Sequence, residues 1–334
     1  LGEITGWEKE KLLHRAKTLP AMIYIESADP SGLDELDQEK WGRSVQLRWP
    51  VIKPIRDSME NRYQWVIAAV PGKAWARKVF PELNETEAVE RLWQAILYTS
   101  RADGDGMEAW REHNADLKRR CAYLNSLSLR RLHYKSSNGT DLTVGLIPQA
   151  QFLAGAEDTL GTSVTFNPNI PSEEVFTSPM KGQAEGIVYS TRPLSYRGTM
   201  IENFSIRFEN GVVAGVKAEK GEEALKTLVN MDEGSKMLGE CALVPYDSPI
   251  RNSGIMFYNT LFDENAACHL ALGDGFTSCI KDFESYTLEQ CRDMGINSSM
   301  IHEDFMIGSE DLDIVGETES GDRIQIFKNG NWAF

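Results

Sequence analysis

The spacing of apolar residues changes along this chain. In the first third, the runs 21–25 and 65–70 are apolar and of strand length. They alternate with segments whose apolar residues recur every three or four positions, as on one side of a helix. Pro71-Gly72 closes the second run, a helix is predicted over 73–79, and Pro81 stops it. Segment 85–97 sets Ala88, Leu92, Ala95 and Ile96 on one side, and 107–124 does the same with Trp110, Leu117 and Tyr123. Strand alternating with helix predicts an α/β arrangement, a parallel sheet with covering helices.

Beyond Asn125 the pattern becomes one of strands and tight turns. Segments 127–134 and 141–147 flank Ser137-Asn138-Gly139, and 199–208 and 212–217 flank Asn210-Gly211. Asn-Gly between alternating segments is a strong hairpin signal. Segment 323–327 before Asn329-Gly330 predicts a third hairpin, and only 221–229 and 287–294 read clearly as helices. The expectation is α/β plus α+β in two domains. An α/β domain over 1–126 precedes a mixed, strand-rich domain over 127–334. Because the chain opens on Leu1 rather than Met, the first domain is expected to be incomplete at its start.

Composition narrows the function. With 41% hydrophobic and 25% charged residues among 334, an ordinary globular core is expected. No run approaches the ~18 consecutive apolar residues of a membrane span. The net charge of -15, without a basic stripe, argues against nucleic acid. Five cysteines without a C-x-x-C pair form neither a disulfide framework nor a zinc ribbon, which fits reduced thiols in the cytoplasm. The motifs G-x-S-x-G, H-E-x-x-H, G-x-G-x-x-G and the P-loop are all missing from the chain.

Five histidines can be weighed singly. His14 and His113 lie in charged helical segments and read as surface residues. His133 lies in a strand, where a plain core or surface role is the default. His302 and Asp304, two apart in Met300-Ile301-His302-Glu303-Asp304-Phe305-Met306, share one side of an extended strand. That makes either a pair of ligands for a divalent ion or a surface His–Asp contact, and the motif alone leaves both open. His269 follows Asp263-Glu264-Asn265-Ala266-Ala267-Cys268. If 264–272 is helical, Glu264 and Cys268 share a face with His269 beside it, and the alternative is a polar helix end. Glu240 lies in Gly239-Glu240-Cys241-Ala242-Leu243-Val244, whose neighbours predict burial, and a buried carboxylate needs a cation or several donors. Glu174 sits in a loop shaped by two prolines, and Glu185 reads as a plain strand carboxylate or a supporting group.

Taken together, Pro171-Ser172-Glu173-Glu174-Val175-Phe176-Thr177-Ser178-Pro179, Gly239-Glu240, Asp263-Glu264-Asn265-Ala266-Ala267-Cys268-His269-Leu270-Ala271-Leu272-Gly273 and His302-Glu303-Asp304-Phe305-Met306-Ile307-Gly308 resemble one family. It is the metal-dependent aminopeptidases typified by aminopeptidase T, aminopeptidase S and PepS, and the resemblance runs from about Ile23 to the C-terminus. It implies two divalent ions (zinc, cobalt or manganese) held by Glu174, Glu240, His269, His302 and Asp304. Glu264 would be a further ligand or a close neighbour. Glu240 and Glu264 are then the candidates for catalysis, with Glu240 expected to bridge the ions. Peptides with a free N-terminus are the implied substrates, and a cytoplasmic homodimer the implied form. Members begin several dozen residues ahead of the point matching Leu1. One departure is Phe276, where the family often has a tyrosine thought to assist the transition state, so that Tyr258 becomes a candidate substitute. The competing readings are a related two-metal dipeptidase or amidase, and a non-catalytic binding protein on the same fold.

Overall fold

The computed structural model describes residues 2–33 and 36–334, so Leu1 lies outside it. Two strands, Met22–Glu26 and Trp65–Ala69, pair in parallel in the register Met22 with Trp65. The helix Gln38–Asp57 connects them, despite Pro50 and Pro54 inside it. The predicted helices appear as Lys73–Val79, Glu85–Thr99 and Gly106–Ser126. Asn84 and Asp105 cap the last two, each side chain accepting a backbone N–H three residues on.

Two antiparallel sheets form the framework of the chain beyond residue 126. The larger has nine strands. Its main path runs Val212–Lys220, Thr199–Glu209, Pro179–Tyr189, Asp141–Leu146, Leu129–Lys135, Asp313–Thr318, Arg323–Lys328 and Asn331–Trp332. The predicted hairpins are all present. Asn210 and Gly211 turn with φ 54° and 81°, and Asn329 and Gly330 with 49° and 73°. Left-handed backbone at two successive residues is what a two-residue hairpin requires, and Asn-Gly adopts it at least cost. The smaller sheet has four strands in the order His302–Met306, His269–Gly273, Leu238–Leu243, Val175–Thr177.

The two sheets share one core. Leu132, Tyr134, Val144, Ile206 and Phe208 of the larger meet Cys241, Leu243, Leu270, Leu272 and Phe305 of the smaller. The helix Gly106–Ser126 adds Leu117, Cys121 and Leu124, one turn apart along a single face. A second core joins Trp75, Ala88, Leu92 and Ile96 to Ile250, Phe257 and Phe262, so the early helices pack against segments far along the chain. All five cysteines are free and buried. Among the described residues no helix is long and apolar enough to cross a membrane.

Candidate metal centre

The four-stranded sheet has one face in the core and one face on a cavity, and strand alternation decides which residue goes where. Across it Glu240 stands opposite Ala271, and Ala271 opposite Asp304, while Ala242 is opposite His269 and Gly273 opposite His302. Paired residues point to the same side, as do residues two apart. Glu240, His269, His302 and Asp304 therefore share one face, whose floor is Ala242, Ala271 and Gly273. Glu174 joins them, since Phe176, two further on, pairs with Ala242. A floor of small residues leaves room above it for the long polar side chains. The other face carries Cys241, Leu243, Leu270, Leu272 and Phe305 into the core.

His269 begins a strand, so the helical alternative over 264–272 is not formed. The helix there is short, Thr260–Glu264, and it ends before the strand His269–Gly273. Helix-forming residues such as Ala271 and Leu272 are overridden by pairing with strands on both sides. Glu240 follows a bulge at Gly239, where the register with the neighbouring strand shifts. A β-carbon on Gly239 would stand 2.2 Å from the Asp274 carbonyl oxygen, so only glycine allows this close approach.

Two overlapping groups of ligand atoms result. Glu174, Glu240 and His269 form one and Glu240, His302 and Asp304 the other, each with its atoms within 4.8 Å of one another. Glu240 belongs to both. Nε2 of His302 lies 3.0 Å from Glu240 Oε2 and 3.4 Å from Asp304 Oδ1. Nε2 of His269 lies 3.0 Å from Glu174 Oε2 and 4.0 Å from Asp304 Oδ1. The Nδ1 atoms face backbone carbonyls, His302 that of Asp274 at 2.8 Å and His269 that of Ala267 at 3.2 Å. An imidazole donating from Nδ1 offers the lone pair of Nε2 to a ligand. Glu264 is buried and lines the same cavity, but its carboxylate falls outside both groups.

The ionisation of the cluster shows what it favours. Burial lifts the Glu240 carboxyl to about 7, against the hydrogen bond from His302 and with the charges of Glu174 and Asp304. Glu264 is pushed well above the usual carboxylate range by burial, then by Asp304 and Glu174. Burial alone would depress both imidazoles. Glu174 nevertheless holds His269, and Asp304 holds His302, well above the ordinary histidine value. Asp304 is also penalised by burial, yet the His302 charge brings it down to about 2. Crowded, buried carboxylates draw positive charge to this place.

A divalent ion fits the residues present. His269 Nε2 and Asp304 Oδ1 are buried, and although charged neighbours stand at 3.0 and 3.4 Å, none meets them in hydrogen-bond geometry, which costs part of the about 1–3 kcal/mol of an unsatisfied group. Two of them side by side in a carboxylate–imidazole set fit a cation as their partner. Oxygen and imidazole donors without thiolate suit zinc, cobalt or manganese.

The surroundings correct one expectation and refine others. His113 is not a surface residue: its side chain is 9% exposed, its Nε2 donates to the Ser172 carbonyl at 2.7 Å, and it braces the loop before Glu174. His133 lies between Thr143 and Glu317 on the larger sheet. Glu185 accepts the Asn210 N–H, so it serves a hairpin turn. Phe276 lies beside the cluster, its ring 4.9 Å from His302 and 5.5 Å from Phe176. Tyr258 instead lies beneath the Lys78 ammonium and does not line the cavity.

That cavity, of about 870 Å³, is walled partly by the first third of the chain, through Trp49, Lys53, Glu60, Trp65 and Ile67. Its wall also includes Glu157, a residue that sequence reasoning missed. Glu157 carries no motif signal, since it faces the cluster only through tertiary structure. Burial and the Glu174 charge lift its carboxyl to about 7.

Known proteins share this arrangement of sequence and fold. The family described as thermophilic metalloprotease (M29) matches residues 1–332. Aminopeptidase AmpS of Bacillus subtilis is 42% identical over 99% of this chain and 81% of its own length. Aminopeptidase T of Thermus thermophilus is 41% identical over 100% of this chain and 81% of its own. A solved structure, wild-type AmpT from Thermus thermophilus, superposes with a TM-score of 0.87 at 40% identity, covering 98% of this chain and 80% of that one.

Proposed function

The chain belongs to the thermophilic metalloprotease family M29, and on that premise we propose that it is a two-metal aminopeptidase hydrolysing the first peptide bond of short peptides. The observation that carries the two-metal reading is the sharing of Glu240 between two ligand groups. Glu174 and His269 would hold one ion, His302 and Asp304 the other, and Glu240 both.

Bound there, divalent ions would supply Lewis acidity for the scissile carbonyl and a nucleophilic water at neutral pH. The chain's residues do the rest. His269 and His302 are held in orientation by the Ala267 and Asp274 carbonyls. Glu264, buried beside the cluster and outside both ligand groups, is the group proposed to accept a proton on its carboxylate and return it to the leaving amine. Phe276 and Phe176 form an apolar wall beside His302 that limits water. A cytoplasmic homodimer is part of the proposal, to be checked by cell fractionation and sedimentation.

The test is titration of dialysed protein with zinc, cobalt or manganese while leucyl-p-nitroanilide hydrolysis is followed. Two ions per chain should bind as activity appears, His302→Ala should lose activity and at least one ion, and the N-acetylated substrate should resist. Turnover of the acetylated substrate would favour an amidase. Failure to bind any ion tightly would end the metal assignment.

A further inference from the structure

An enzyme that removes N-terminal residues must read the free α-ammonium group. Carboxylates are the natural readers, and the cavity is lined by several. Nearly all are already engaged. Asp57 takes the Lys53 ammonium at 3.2 Å, Glu60 the Thr277 hydroxyl at 2.7 Å, and Asp274 the Ser299 N–H at 2.8 Å. Glu26 accepts from the Asn259 amide, and Glu174, Glu240 and Asp304 belong to the ligand groups. Glu264 stands against the Asn265 amide at 3.4 Å. Glu157 is partly buried in the cavity wall, and among the described residues its side chain has neither a hydrogen bond nor an ion pair.

We infer that Glu157 is the anchor for the substrate's α-ammonium group, a reading that rests on the aminopeptidase function proposed above. Its place suits that use. It lines the same cavity as Glu174 and His269, and the Glu174 charge acts on it. It lies on a short strand, Glu157–Asp158, paired with Thr165–Phe166, and Phe166 packs against Trp65 of the cavity wall at 6.4 Å. Leu160, three residues on, donates its N–H to the Asn61 carbonyl at 2.7 Å, which fixes the turn. Cations line the same cavity. Lys53 lies 3.8 Å from the Asp274 carboxylate, and Asp274 is the residue whose carbonyl holds His302. Arg56 lines the wall nearby. A peptide is itself a dipole, positive at its amine and negative at its carboxylate. With its amine at Glu157, a peptide shares the cavity with both ligand groups and with cations that suit its carboxylate.

The experiment is calorimetric titration of L-leucinol, which keeps the free amine and has no scissile amide, and separately N-acetyl-leucinol, into metal-loaded wild type, Glu157→Gln and Glu157→Asp, with ion content measured in each. Because a hydrogen bond to a charged group is worth a factor of roughly ten or more, leucinol should bind Glu157→Gln at least that much more weakly. Glu157→Asp should fall between, ion content should stay at the wild-type value, and N-acetyl-leucinol should distinguish none of them. KM for leucyl-p-nitroanilide should rise with the same factor. Equal leucinol affinity in wild type and Glu157→Gln overturns the anchor while leaving the aminopeptidase reading intact. Loss of an ion in Glu157→Gln also overturns it, by placing Glu157 among the ligands. Wild type that binds neither ions nor leucinol overturns both readings.

Discussion

Two adjacent pairs of acids, Glu173–Glu174 and Asp263–Glu264, divide their work in the same way. In each, the first residue is buried as a clamp and the second faces the cavity. Glu173 pairs with both arms of the Arg101 guanidinium, and its N–H donates to Asn265 at 2.6 Å. Asp263 takes the N–H groups of Phe257 and Asn259 and lies 3.3 Å from Arg192. Clamping one acid fixes the backbone from which its neighbour is presented. Replacing Arg101 with Met should therefore strand a buried carboxylate and cost about 3 kcal/mol of stability in urea unfolding, with weaker metal binding through Glu174. Adding Glu173→Gln should recover much of that loss, and a single-variant cost below about 1 kcal/mol would contradict the clamp. Phe276 poses a different question at this scale. Its ring already stands beside His302, so Phe276→Tyr should put a hydroxyl at the edge of the site. If a donor there stabilises developing charge, kcat should rise roughly tenfold or more with little change in KM, since one such donor can be worth a hundredfold. An unchanged kcat would mean that the position has no such role in this chain.

At the scale of elements, the sheets are tied together at their turns. Asp311, in the loop after the strand His302–Met306, accepts from the Ser136 hydroxyl, the Ser137 N–H and the Ser309 hydroxyl, and so pins the first hairpin turn. The Ser137 hydroxyl, followed by Ser309 and the Ser137 N–H, holds its carboxyl well below the usual range. A depressed carboxyl binds fewer protons in the folded chain than in the unfolded one. Its contribution is therefore complete above the unfolded value near ~4 and fades as pH falls below it. Asp311→Asn should be less stable than wild type at pH 7, with the gap closing between about pH 4 and pH 2. A gap independent of pH would refute this account. Turns were also where the sequence was easiest to read, because Asn210-Gly211 and Asn329-Gly330 select a backbone conformation locally. The helix Gln38–Asp57 was hidden for the converse reason. Pro50 and Pro54 argue locally against it, yet tertiary contacts such as that of Gln46 with Met231 hold it in place. For His269 the sequence left a helix over 264–272 open, and only its pairing partners, more than 25 residues away in each direction, make it a strand residue.

The whole molecule determines what the motifs could not show. Glu174, Glu240, His269, His302 and Asp304 were proposed as a set from the family resemblance, to which the residues alone added that histidines are few and that His302 and Asp304 have strand spacing. Glu157, Lys53 and Glu60 were not, since the cavity that unites them forms between the first third of the chain and the four-stranded sheet. The candidate ligands also reach across that sheet. Glu174 directly precedes one edge strand, His302 and Asp304 lie on the other, and Glu240 and His269 lie on the strands between. An ion held by such residues fastens together segments that backbone pairing alone joins only to their neighbours. Binding to the folded chain alone stabilises it by about 4 kcal/mol at a thousandfold excess over Kd, so chelation should lower the melting temperature and restored metal should return it. The pattern of amide exchange separates a clamp from a general effect. On chelation, protection should fall first in the edge strands Val175–Thr177 and His302–Met306, while Leu129–Lys135, inside the larger sheet, changes least. Exchange that rises equally in all three would mean that the ion adds global stability without fastening this sheet. Exchange and melting that ignore chelation would mean that the five ligands do not hold it.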